Sequence, residues 1–96
     1  MRWKRWWKSE GLPAVRLLAL EHWDPMNVYD DPQHADDYDP YLERVGRMLR
    51  HGDGTPAIAA YLGQVRTKAF RLDENAELDE SFADRVVAWY AVERPD

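Results

Sequence analysis

The stretch "DPYLERVGRMLRHG", Asp39 to Gly52, constrains the fold more than any other part of the chain. Pro40 suits the first turn of a helix, where its missing N–H costs no hydrogen bond. Asp39 before it is a helix cap by residue type, and Gly52 stops the helix beyond His51. Between those marks Tyr41, Leu42, Val45, Met48 and Leu49 recur at the spacing of one helical face, with Arg44, Arg47 and Arg50 outside it. Glu43 and Arg47 stand one turn apart, in the favourable order for an ion pair.

A helix with one apolar stripe must bury it against other elements, and the rest of the chain offers helices. In "TPAIAAYLGQV" and the residues after it, Thr55 is the expected cap and Pro56 leads. Ile58, Tyr61, Leu62, Val65 and Ala69 share a face there. Gly63 inside this helix costs up to about 1 kcal/mol relative to Ala, so a close helix crossing is expected at it. From Pro13 to Trp23 only Arg16, Glu21 and His22 are polar, the pattern of a helix buried on most sides. Pro13 is its expected first residue, and Pro25 ends it near Asp24. After the linker "DENAELDE", Phe82, Val86, Trp89 and Tyr90 mark a last helix. No segment alternates for long enough to be a strand. The expected class is all-α: one compact multi-helical domain of about four helices, with a long acidic loop between the first two. At 96 residues such a domain buries roughly 60–65% of its unfolded surface.

Composition removes several function classes. With 45% hydrophobic and 32% charged residues the chain is neither disordered nor membrane-spanning, and its longest apolar run, ending in Leu20, is too short to cross a bilayer. The absence of cysteine excludes a disulfide scaffold, a thiolate zinc site and a Cys nucleophile, and suits a reducing cytoplasm. Net charge is −5, yet the first eight residues carry +4, which leaves −9 on the rest. So acidic a remainder repels a phosphate backbone, and nucleic acid is not an expected partner of it.

Two regions follow from that imbalance: a basic, Trp-rich segment at residues 1–11 and a helical domain at residues 12–96. In "MRWKRWWKSEG", Arg2, Trp3, Lys4, Arg5, Trp6, Trp7 and Lys8 suit contact with an anionic membrane surface or stacking on nucleic acid. The plainer reading, and the preferred one, is a helical extension whose indoles pack on the domain, or a frayed terminus. Left exposed, the indoles would favour a dimer. Arg16 interrupts any signal-peptide core.

The acidic run "EHWDPMNVYDDPQHADDYDPYLERV" is the other concentration of charge. It does not fit a calcium loop, because no Asp in it is followed by the required Gly and twelfth-position Glu. His22 and His34 lie in no metal-ligand spacing, so no metal is expected. The two serines, Ser9 and Ser81, lie in no nucleophile elbow, and no phosphate loop occurs, so neither a catalytic residue nor a bound cofactor is expected. An enzyme without a recognised motif would have to use His22 or His51. Most of the carboxylates instead suit turns and caps: Asp24 before Pro25, Asp30 and Asp31 before Pro32, Asp36, Asp37 and Asp39 ahead of a helix.

"ALEHWDPMNV", followed by "DDYDPYLERVGRML" and "IAAYLGQV", resembles a family of small bacterial proteins of uncharacterised function, often called YugE-like. The likeness runs from about Ala19 to Val65 and implies a compact all-α fold and no activity. Trp23, Asp24, Pro25, Tyr38, Asp39 and Tyr41 match its signature, while Asn27 and Asp37 replace the family's usual Gly and Glu. The expected function is a non-catalytic protein-binding module, of the small acidic inhibitor, immunity or adaptor kind. Its expected contacts are Asp30, Asp31, Asp36, Asp37 and Tyr38, meeting a protein with a basic surface. A peripheral membrane protein working through the N-terminal segment is the alternative.

Overall fold

A computed structural model describes residues 2–95. Four helical elements carry the chain. The first, α1, spans residues 2–22 as an α-helix at Arg2–Trp6, a π-helical turn at Trp7–Gly11 and an α-helix at Leu12–His22. Next come α2 at Asp39–His51, then α3 at residues 55–69, which passes from α-helix at Thr55–Gln64 into a π-helical turn at Val65–Ala69. Last is α4, Ala76–Glu93. Among the described residues there is no strand, so the class is all-α.

The core forms where the apolar faces meet. Val15 and Ala19 of α1, Leu42, Val45 and Leu49 of α2, Ile58 and Leu62 of α3, and Phe82, Ala83 and Val86 of α4 are buried together. The apolar faces expected on α2 and α4 therefore point inward. On α3 the stripe stops short of its end, because Ala69 is exposed. On α1 the all-round apolar pattern overstates burial, since Leu17 is 56% exposed.

Helix α1 takes up the N-terminal segment as a helical extension whose indoles pack on the domain, one of the readings the sequence allows. The place expected to divide residues 11 and 12 is where a π turn runs straight on into the α-helix, so Pro13 stands in the first turn of Leu12–His22 with helix already before it. An interior proline loses one hydrogen bond and crowds the carbonyl four residues back. The wider π turn at Trp7–Gly11 lies at that place, closed by Leu12 N–H donating to the Trp7 carbonyl. Gly11 is required there: a Cβ on it would stand 2.6 Å from the Trp7 ring.

Caps differ in three places from what residue type suggests. Asp39 lies inside α2, and its carboxylate takes the Arg16 guanidinium bidentately at 2.9 and 2.7 Å, tying α1 to the start of α2. Gly54, not Thr55, precedes α3. The expected linker "DENAELDE" turns helical from Ala76 onward, because Asn75 caps α4 by accepting from Leu78 N–H at 3.1 Å. Gly52 does end α2, in left-handed conformation at φ 96°, with Asp53 N–H reaching the Met48 carbonyl at 2.9 Å.

One buried charge pair locks three elements. Asp79 is 2% exposed and Arg66 5%. Asp79 Oδ1 accepts from Arg66 Nε at 3.1 Å, from Arg66 Nη2 at 2.9 Å and from Trp23 Nε1 at 2.8 Å. Removing one partner from such a group strands a buried charge, a loss of about 3–5 kcal/mol.

Candidate functional site

Two surfaces gather the charged residues singled out above. The loop at residues 23–38 turns its carboxylates mostly on itself. Asp24, at φ 36°, accepts from Val28 N–H at 2.9 Å, Tyr29 N–H at 3.0 Å and the Tyr38 hydroxyl at 2.7 Å, and the turn it opens closes through Asn27 N–H at 3.1 Å. Asn27 takes φ 56°, a left-handed backbone that Asn tolerates better than most side chains. Asp31 caps the short 3-10 turn at Pro32–His34 by accepting from Gln33 N–H at 3.0 Å. His34 Nδ1 lies 2.7 Å from Asp37, and that hydrogen bond, then the charges of Asp37 and Asp31, raise its pKa above 6.5. The carboxylates of Asp30 and Asp36 accept no hydrogen bond among the described residues, and both are exposed.

Tyr38 leaves the set of contact residues. Its ring is fully buried, tilted against Trp23 at 5.3 Å and Phe70 at 5.9 Å, and its hydroxyl accepts from Met26 N–H at 2.9 Å. Burial first, and then the bond to Asp24, raise its phenol pKa. The other signature residues are likewise structural: Trp23 stacks on Phe82 at 5.5 Å, and Tyr41 meets Phe70 edge-on at 5.1 Å. Pro25 is the second residue of the turn that Asp24 opens.

The basic N-terminal segment is the second surface, and it is folded. Trp7 is buried, its Nε1–H donating to Glu43 Oε1 at 2.8 Å, and it lies so close over α2 that a Cβ on Gly46 would meet its ring at 2.6 Å. Trp3 stacks on Trp7 at 5.4 Å and 7° between planes, and its Nε1–H donates to the Tyr90 hydroxyl at 2.9 Å. Trp6 stacks on Trp89 at 5.8 Å and meets Tyr90 at 6.1 Å, so it too packs on α4. Trp7 is thus buried and Trp3 and Trp6 half-buried against the domain.

Between α1 and α2 lies an open groove of about 900 Å³. Trp3, Trp7 and Leu12 supply its apolar floor. Lys4 and Lys8 of α1 and Glu43, Arg47 and Arg50 of α2 line it as well. Arg50 places its guanidinium 5.0 Å from the Trp3 ring centre, a cation–π contact. The sequence shows the cations of α1 as a cluster but presents Arg47 and Arg50 as a solvated helix face. The signal that could join them is Gly46, a small residue on α2 opposite a chain segment rich in Trp.

The other two histidines each stand beside one carboxylate. His51 is exposed at the groove's edge, 3.1 Å from Asp53, and His22 Nε2 is 4.0 Å from Glu21. Among the described residues no three His, Asp or Glu side chains gather as a metal-ligand set. No helix there is long and apolar enough to cross a membrane. Fold and site together describe an all-helical domain with a basic, indole-floored groove. No family model, curated protein or solved structure matches the chain.

Proposed function

We propose that the chain is a non-catalytic protein-binding module, bacterial and cytoplasmic, that takes an acidic segment of its partner in the groove between α1 and α2. One observation carries this: an indole floor lined by four cations, Lys4, Lys8, Arg47 and Arg50, against a single carboxylate, Glu43, which already accepts from Trp7 Nε1–H. A floor of that kind receives an apolar anchor, while the cations select carboxylates around it. An amphipathic helix with Leu on one side and Glu along its flanks meets both demands.

This reading inverts the charge of the partner expected from the acidic run and moves the contact to residues 3–12 and 43–51. It also favours protein over the other anions. Trp7 and Arg50 lie against the Trp3 ring, so an incoming group meets the edges of the indoles and the Leu12 side chain, which suits an aliphatic anchor better than a stacked nucleobase. With Trp7 buried and Trp3 bonded to Tyr90, few indoles are free to enter a lipid interface. A second reading keeps a basic partner on the acidic loop, and the unbonded carboxylates of Asp30 and Asp36 favour it.

The test titrates the full chain into a fluorescent peptide helix carrying Leu and Glu at one-turn spacing, beside anionic phosphatidylserine vesicles. Saturable peptide binding is expected, weakening with salt. In the double variant Lys8→Glu, Arg47→Glu affinity falls tenfold or more, while the helical circular dichroism stays unchanged. Equal binding by that variant, or no peptide binding, would overturn the groove. Vesicle binding in place of peptide binding would move the function to a membrane.

A further inference from the structure

Gly63 poses a question that packing does not answer. It sits inside α3, where glycine is less favourable than alanine. A close helix crossing is the reason its sequence position suggests, yet a Cβ on it would find only Asp79 Oδ2 at 3.6 Å, an ordinary contact. What the missing methyl leaves clear is therefore that oxygen.

Asp79 Oδ2 is unusual in its own right. All three donors to this buried carboxylate converge on Oδ1, and Oδ2 accepts none. It is not sealed off either, since no buried side-chain oxygen among the described residues lacks a hydrogen bond. Asp79 and Gly63 both line a groove of about 450 Å³ between α3 and α4, separate from the indole groove. Glu74 and Glu80 line it too, and among the described residues no Lys or Arg does. Thr67 adds an acceptor: its hydroxyl proton goes to the Gly63 carbonyl at 3.0 Å, so its lone pairs remain for another donor.

We propose that this groove binds a primary ammonium group, which donates to Asp79 Oδ2 past Gly63. The single free oxygen decides between cations. A guanidinium pairs best with both oxygens of a carboxylate, and Oδ1 is already taken by Arg66. An ammonium is a compact point charge with three donors and needs only one carboxylate oxygen, with Thr67 and the rim carboxylates for the rest. Both a free alkylamine and the lysine side chain of a partner carry this group.

Trp23 provides the reporter, because its indole N–H bonds the same carboxylate at 2.8 Å. The full chain, ¹⁵N-labelled, is titrated with propylammonium and, at equal ionic strength, with tetramethylammonium, which has no N–H. A saturable shift of the Trp23 indole resonance is expected with propylammonium alone. Gly63→Ala places a methyl before Oδ2 in a better helix former, and should bind about tenfold or more weakly, the worth of one charge-assisted hydrogen bond. Glu80→Gln, on the rim, should weaken binding by a smaller factor and tests the same site should Gly63→Ala fail to fold. Equal shifts from both cations, unchanged titrations in both variants, or no saturable shift would overturn the site. A parallel titration with a short peptide containing one lysine assigns the source: tighter peptide binding points to a partner's lysine, tighter propylammonium binding to a free amine. Asp79 itself is left intact, since its replacement would strand Arg66.

Discussion

The acidic loop at residues 23–38 and the basic groove between α1 and α2 are both dense in charge, and they use it in opposite ways. In the loop, Asp24, Asp31 and Asp37 are satisfied by backbone N–H groups and an imidazole a few residues away, and Asp24 also by the Tyr38 phenol at the loop's far end. In the groove, Lys4, Lys8 and Arg47 line an apolar floor and belong to two helices far apart in sequence. Asp is short and reaches its own backbone, so a run of Asp shapes a chain locally. Lys and Arg are long, lay their stems on apolar surface and leave the charge at the rim. Density of charge alone therefore says little about a working surface.

The groove's floor puts this contrast to its hardest test. Trp7→Ala is expected to cost about 3–5 kcal/mol by chemical denaturation, the range for a buried aromatic. A cost near zero would mean that the floor is a detachable appendage, divided from the domain at residue 11. In the loop, Asp24→Ala removes the acceptor for two amides and the Tyr38 hydroxyl and should cost about 2–3 kcal/mol. Gly46→Ala puts a methyl against Trp7 and is expected to cost about 1–3 kcal/mol. The exposed charges come next: Asp30→Asn with Asp36→Asn, and Lys8→Glu with Arg47→Glu, should each stay within about 0.5 kcal/mol in stability. Only the groove pair should change peptide affinity, and a loss of affinity in the loop pair instead would restore the acidic surface as the contact.

The smallest effect is a titration. His34 has its pKa raised chiefly by the Asp37 hydrogen bond, so its protonated form is favoured by folding. Whatever it adds to the 3-10 turn is fully present below its unfolded pKa and is lost as pH rises through the folded value. NMR of the His34 ring should give a midpoint above 6.5, moving down in Asp37→Asn.

Helix α2 is legible directly in the sequence from its proline, its apolar spacing and Gly52, because each is a local signal of an element that packs on one face. The turn at Asp24 is equally local. The start of α1 is legible only as one reading among several: Gly11 and Pro13 both announce a break, yet the chain stays helical through a π turn with its indoles packed on α2 and α4. Asp39 passes for a cap for the same reason, since its partner Arg16 is 23 residues away. The indole groove stays hidden too, because its two cationic walls are separated by the whole acidic loop.

The amino-acid order is enough to set the class, the helix faces and the turns of the loop, since all of these arise between residues a few positions apart. Which charges meet is a matter of tertiary packing. Packing brings Arg47 and Arg50 into one groove with Lys4 and Lys8, buries Arg66 with Asp79 beneath Trp23, and leaves one carboxylate oxygen open beside Gly63. Those meetings depend on helix crossings, and a crossing is chosen by the fit of whole faces, which no local spacing records.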